Sequence, residues 1–201
     1  MKRWHSLNLR AWSTPCALAF ALMLLLPHAS LGAIEVPSVI TGESLTDSGF
    51  VRIERASAQK ALVLAFVSSR CPCSASHESE LKRLAEAYSQ KGFQFVGIHS
   101  NQNETADEAR VHFKVSKLGF PIIRDTGALI ANQLGAIKTP HVYVIHRDGR
   151  ILYQGGVDDS QIQQTASTHY LADALAQVSA GQDPEPSKTR ALGCVISRRT
   201  E

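Results

Sequence analysis

Ala61-Leu62-Val63-Leu64-Ala65-Phe66-Val67-Ser68-Ser69-Arg70-Cys71-Pro72-Cys73 is the stretch that decides the fold. Seven apolar residues follow one another with no polar alternation, the pattern of a strand covered on both faces. Ser68 to Cys73 breaks the pattern. From about Ser74 to Lys91 the period becomes helical, with Leu81, Leu84, Ala85 and Tyr88 at i, i+3, i+4 and i+7 and charges on the opposite side. Gly92 is the natural stop. Cys71 therefore stands where a buried strand turns into a helix, and Pro72 supplies the fixed dihedral of a helix start.

Working outward, Phe93 to Ile98 reads as a second buried strand. A weaker helical stripe runs through Ala106, Ala109 and Phe113 over residues 104–117. Pro121 to Arg124 is a short extended piece, Asp125-Thr126-Gly127 turns, and residues 128–134 form a short helix closed by Gly135. Thr139-Pro140 precedes the strand His141-Val142-Tyr143-Val144-Ile145-His146. Arg147-Asp148-Gly149-Arg150 is a hairpin signal, followed by a strand from Ile151 to Gln154. A last helix over about 166–180 carries Leu171, Ala174, Leu175 and Val178 and ends at Gly181. Upstream, residues 34–60 are weakly patterned, a loop with one lead-in strand around 50–54. The order βαβα, β-hairpin, α predicts one α/β domain, a central mixed β-sheet flanked by helices, over residues 34–181. Residues 182–201 are read as a polar, Pro-bearing linker and a C-terminal tail that ends in the apolar patch Ala191-Leu192-Gly193-Cys194-Val195-Ile196.

The 201-residue chain has 44% hydrophobic and 19% charged residues, which excludes a fully disordered protein and a disulfide-dense miniprotein. Its net charge of +3 is local. Lys2, Arg3 and Arg10 occupy the first ten residues and no acid precedes Glu35, so the remainder is balanced and carries no footprint for nucleic acid. Residues 16–26 are an unbroken apolar run, shorter than the roughly 20 residues that span a membrane. A positive start, a short apolar run and small residues at Ser30, Gly32 and Ala33 read as a secretory signal over residues 1–33. The expected location is periplasmic or secreted, where disulfides persist and no membrane span remains after cleavage. Cys16 leaves with the signal, so Cys71, Cys73 and Cys194 remain. An odd number leaves one thiol for exchange chemistry.

A thiol at a helix N-terminus is favoured as thiolate by unpaired N–H groups and the helix dipole, and Arg70 adds a positive neighbour. Cys71 is thus the candidate nucleophile. Cys73 and Cys194 are the candidates to resolve its intermediate, whether a mixed disulfide or a sulfenic acid. Cys-x-Cys with His77, His99 and His141 in the chain raises a rival reading, a copper-handling protein built on Cys71, Cys73 and a histidine. A second rival is a non-catalytic binding module. The main reading assigns no metal site and needs no organic cofactor, since electrons come from a partner dithiol.

These pieces together resemble the thioredoxin fold, and more closely its exported redoxin, thiol-specific-antioxidant branch. The likeness rests on Phe66-Val-Ser-Ser-Arg-Cys-Pro, Phe120-Pro-Ile-Ile-Arg-Asp, Thr139-Pro-His-Val-Tyr-Val-Ile, Tyr153-Gln-Gly-Gly-Val-Asp-Asp, His169-Tyr-Leu-Ala-Asp-Ala-Leu and Gly193-Cys-Val-Ile. The resemblance implies a thiol–disulfide oxidoreductase or thiol peroxidase with Cys71 as nucleophile and a cis Pro140 packed against it. It implies a substrate groove shaped by Ser68, Arg70, Thr139 and Pro140, and as partner a protein disulfide or dithiol, or a small peroxide. Two positions depart from related patterns. Ser74 stands where thioredoxin has its second cysteine, and Leu64 stands where peroxiredoxins place a proline before their Ser68 and Cys71 equivalents.

Overall fold

The computed structural model describes Met1 and residues 34–198. The secretory-signal reading falls outside the described residues. Every element named below lies in one compact unit, Ile34–Glu201. No helix of the described residues is long and apolar enough to cross a membrane.

The run from Ala61 folds as β3 (Ala61–Phe66), buried at every position. It is an interior strand, fifth in the order of a seven-stranded mixed sheet. β3 runs parallel to β4 (Phe93–His99) and antiparallel to β7 (His141–His146). β4 runs parallel to β5 (Ile122–Arg124), and β7 turns through the Asp148-Gly149 hairpin into β8 (Ile151–Gly155). The far edge is a hairpin of β1 (Val39–Ser44) and β2 (Phe50–Glu54), with β1 antiparallel to β5. The strand order is β2-β1-β5-β4-β3-β7-β8.

The unbroken apolar character of β3 follows from its place. Ala61, Val63 and Ala65 enter the core beneath α1 (Pro72–Ser89), α2 (Ala106–Ser116) and α4 (Tyr170–Ser179). Leu62, Leu64 and Phe66 enter the core on the other face, with α3 (Leu129–Leu134). Successive side chains of a strand point to opposite faces, so two cores demand two apolar sets. Leu64, at the site of the peroxiredoxin proline, is fully buried and pairs with Val96 and Tyr143.

Helix ends follow local chemistry. Thr105 caps α2 in a reciprocal capping box with Glu108. Gly135 closes α3 at φ 70°. Two sequence readings shift. The region 34–60 holds β1 as well as the lead-in strand, because β1 gains its order from pairing on both edges rather than from an alternating pattern. The last helix begins at Tyr170, after a separate 3-10 turn at Gln163–Thr165.

The segment read as a linker is not a free tether. Gln154 N donates to Ser187 O (2.9 Å) and Thr189 N donates to Gln154 O (3.0 Å), so residues 187–189 run beside β8. Thr189 Oγ1 meets Tyr153 Oη at 2.6 Å. Beyond it, β9 (Cys194–Val195) pairs antiparallel with β6 (Lys138–Thr139).

Candidate active site

Cys71 is the N-cap of α1, in extended conformation, with Pro72 at the first helical position. Its Sγ accepts from Ser74 N at 3.4 Å. Its own backbone N–H donates to Ser68 Oγ at 3.0 Å. The loop before it is held from within by a carboxylate. Glu104 Oε1 accepts from Ser68 Oγ (2.6 Å), while Oε2 accepts from Ser69 N (2.8 Å) and Ser69 Oγ (2.5 Å). His99 Nε2 lies 3.0 Å from the same Oε2. Burial alone would raise the pKa of Glu104, but hydrogen bonds from His99, Ser68 and Ser69 prevail and hold it near 2. The result is a fixed anionic post, linked through Ser68 to the amide of Cys71.

A second buried pair stiffens the first turns of α1. His77 Nδ1 sits 2.6 Å from Cys73 O, and its Nε2 sits 3.0 Å from Asp158 Oδ1. Both side chains are 1% exposed. Sequence reasoning did not single out Glu104 or Asp158. Glu104 has one local signal, an acid immediately before the N-cap Thr105. Asp158 lies in a quoted motif, yet its partner is 81 residues away.

The tail brings the third cysteine to this junction. Register places Thr139 opposite Cys194. A Cβ built on Gly193 would lie 2.0 Å from Thr139 O, so only glycine permits this approach, at φ 143°. Cys194 Sγ comes 2.6 Å from Cys71 Sγ, and Cys71 Sγ lies 3.2 Å from Thr139 O. The Thr139–Pro140 bond is cis, as the resemblance implies. The Cys71, Cys73 and Cys194 sulfurs all lie within 4.8 Å of one another.

The three thiols are not equivalent. Burial opposes ionisation of Cys71, but hydrogen bonds involving Cys194, Thr139 and the Ser74 N–H outweigh it, and its pKa falls. Burial and the neighbouring Cys71 push Cys194 up to about 12. Cys73 is raised by burial and by the charge of Cys71. The group thus favours one thiolate, at Cys71, with protons kept on the other two.

Two of the expected assignments change in form. Arg70 is not the source of the Cys71 shift; its Nη2 meets both oxygens of Glu108 at 2.8 Å. Ser68 and Thr139 are each 1% exposed, so they brace the site from inside rather than face an open groove. The copper reading loses its histidine. His77 and His99 are engaged by Asp158 and Glu104, and the ring of His141 packs on Tyr143 with centroids 4.7 Å apart.

No curated protein matches the chain. Among solved structures it is similar to an uncharacterized conserved protein from Geobacillus kaustophilus, at 27% identity and TM-score 0.73, over 81% of this chain and 89% of that one. It is similar to the peroxidoxin BcpB from Mycobacterium tuberculosis at 18% identity and TM-score 0.55, over 73% and 94% of the two chains. A putative thiol:disulfide interchange protein DsbE from Chlorobium tepidum matches at 21% identity and TM-score 0.51, over 60% and 81%. These likenesses show a thioredoxin-like fold, in agreement with the sheet, the cis Pro140 and the cysteine at the start of α1. The Redoxin family model matches residues 35–170, most of the chain and all of the junction around Cys71, and the protein belongs to the Redoxin family.

Proposed function

We propose that the protein is an exported thiol–disulfide oxidoreductase with Cys71 as nucleophile and Cys194 as resolving thiol. The observation that carries this reading is the 2.6 Å approach of the two sulfurs, one favoured as thiolate and the other as thiol. Export is supported by the sequence of residues 1–33, which reads as a secretory signal.

The Cys71 thiolate attacks one sulfur of a partner disulfide. The partner S–S bond breaks, a mixed disulfide forms, and the departing partner sulfur takes a proton. Cys194 then loses its proton and attacks Cys71 Sγ. The mixed disulfide breaks, the second partner sulfur leaves as a thiol, and a Cys71–Cys194 disulfide remains. Two electrons have passed from the protein to the partner, and an external dithiol restores them. A peroxide reaches the same end: Cys71 is oxidised to sulfenic acid with loss of water or alcohol, and Cys194 condenses with it, releasing water. The Glu104–Ser68 support keeps the Cys71 amide in place throughout, and Ser74 N–H steadies the thiolate.

Cystamine serves as a simple disulfide for the test. The reduced wild-type chain is expected to release both halves as cysteamine and to end with Cys71 joined to Cys194. Cys194→Ser is expected to keep one half covalently on Cys71, seen by mass spectrometry after digestion. An adduct that settles on Cys73 instead, or wild-type behaviour in Cys194→Ser, overturns the assignment.

A further inference from the structure

Three sulfurs from two distant segments converge at one point. Cys71 and Cys73 share the first turn of α1, and Cys194 is delivered by the pairing of β9 with β6. Among the described residues this is a purely sulfur group: Cys71, Cys73 and Cys194 lie within 4.8 Å of one another, with no imidazole or carboxylate oxygen joining them. The nearest histidine along the helix, His77, has both ring nitrogens engaged, by Cys73 O and Asp158.

The donor set narrows the ion. Thiolates without oxygen or nitrogen donors select soft cations. Zinc takes four ligands, so three sulfurs would leave it one position for water, and iron–sulfur clusters take four cysteines. Three sulfurs suit a three-coordinate monovalent ion of filled d shell, copper(I). Metal–thiolate bonds of about 2.3 Å in one plane place sulfurs about 4 Å apart, which lies within the observed span. The Cys71–Cys194 distance of 2.6 Å must open to that value. Cys194 is exposed, so a turn about its Cα–Cβ bond carries Sγ outward while the backbone of β9 stays paired with β6. The N-terminus of α1, with Ser74 N–H aimed at Cys71 Sγ, favours the negative charge such a site carries.

We propose that the reduced protein binds one copper(I) ion through Cys71, Cys73 and Cys194. Binding releases the displaced thiol protons to solvent; copper stays monovalent and no electron moves. One consequence rests on the oxidoreductase reading: a Cys71–Cys194 disulfide removes two of the three donors, so oxidation and metal loading exclude each other.

The test titrates the full chain, reduced and without oxygen, with copper(I) in competition with the chelator bicinchoninate. X-ray absorption at the copper edge reads the ligands of the wild-type chain. One copper per chain is expected, with three sulfurs at about 2.3 Å and no nitrogen. Cys73→Ser and Cys194→Ser, with fold checked by circular dichroism, are each expected to weaken binding by about tenfold or more. An equal concentration of zinc(II) is expected not to displace the copper. Failure to hold copper against the chelator, a nitrogen ligand in the spectrum, or wild-type affinity in either variant overturns the site. The metal site and the oxidoreductase reading fail separately. A chain that takes no copper but reduces cystamine loses only the metal site, and a chain that binds copper through three sulfurs but leaves cystamine intact loses only the exchange chemistry.

Discussion

His141 stands next to the cis Pro140 and is 7% exposed, its ring against Tyr143. Burial, helped by the charge of Lys188, lowers its pKa from 6.5 to about 4. In the unfolded chain the ring takes a proton as pH falls below 6.5, whereas in the folded chain it resists until about 4. Its contribution to stability is therefore complete above pH 6.5 and is lost as pH drops through that window, by up to about 3 kcal/mol. His141→Asn is expected to flatten urea-unfolding stability between pH 6.5 and 4 relative to wild type. An unchanged slope in the variant would assign the loss to other groups. At this scale some of the site was legible and some was not. Cys71 and Pro72 obey local rules of helix starts, which act within one turn. Glu104 grips Ser68 and Ser69 from more than thirty positions away, and nothing in the local pattern marks that contact. The charge of Arg70 was visible, but Glu108, which takes it up, is 38 residues further on.

Among elements, the two-residue β9 matters more than its length suggests. It is pinned on both sides: Thr189 bonds to β8 and Tyr153, while Ile196 N donates to Ile137 O at 3.0 Å and Ser197 N donates to Asn101 Oδ1 at 2.7 Å. Between those anchors Gly193 allows the backbone to touch Thr139. In Gly193→Ala the new methyl would sit 2.0 Å from the Thr139 carbonyl oxygen and lift Cys194 away from Cys71. A displacement of about 1 Å costs up to two orders of magnitude in an internal reaction. Closure of the Cys71–Cys194 bond in oxidised glutathione, followed by mass spectrometry, is expected to slow by about tenfold or more. Closure at the wild-type rate would show that the tail does not depend on this contact. The long elements β3, β4, α1 and β7 were readable because apolar period and length agree in each. β6, β9 and β1 were not, because each owes its order to a neighbour rather than to its own pattern. The apolar patch around Cys194 was a sound reason for the tail to dock, but the course of residues 187–189 along β8 depends on backbone bonds that composition does not encode.

For the molecule as a whole, a Cys71–Cys194 bond would join positions 123 residues apart. Such a closure restricts the unfolded chain by about 4–5 kcal/mol in the chain-entropy account, less any strain. The oxidised chain is therefore expected to melt about 10 °C above the reduced one in calorimetry. Equal melting temperatures would mean that strain or residual structure cancels the gain. The class of the fold was legible from the order of elements and the double-sided β3. The position of the β1–β2 hairpin beside β5 was not, since strand order is set by which edges remain open once the central strands have paired.

The separation of the two cysteines also sets an order in time. Synthesis runs from the N-terminus, so the junction carrying Cys71 and Cys73 leaves the ribosome well before Cys194 is made. Until then Cys71 and Cys73 stand together without the third sulfur. Any disulfide that a nascent chain forms at Cys71 in this period is a provisional one. The final pairing waits for the tail to be translated and laid against Thr139, so a site begun at Cys71 is finished only by residues made far later.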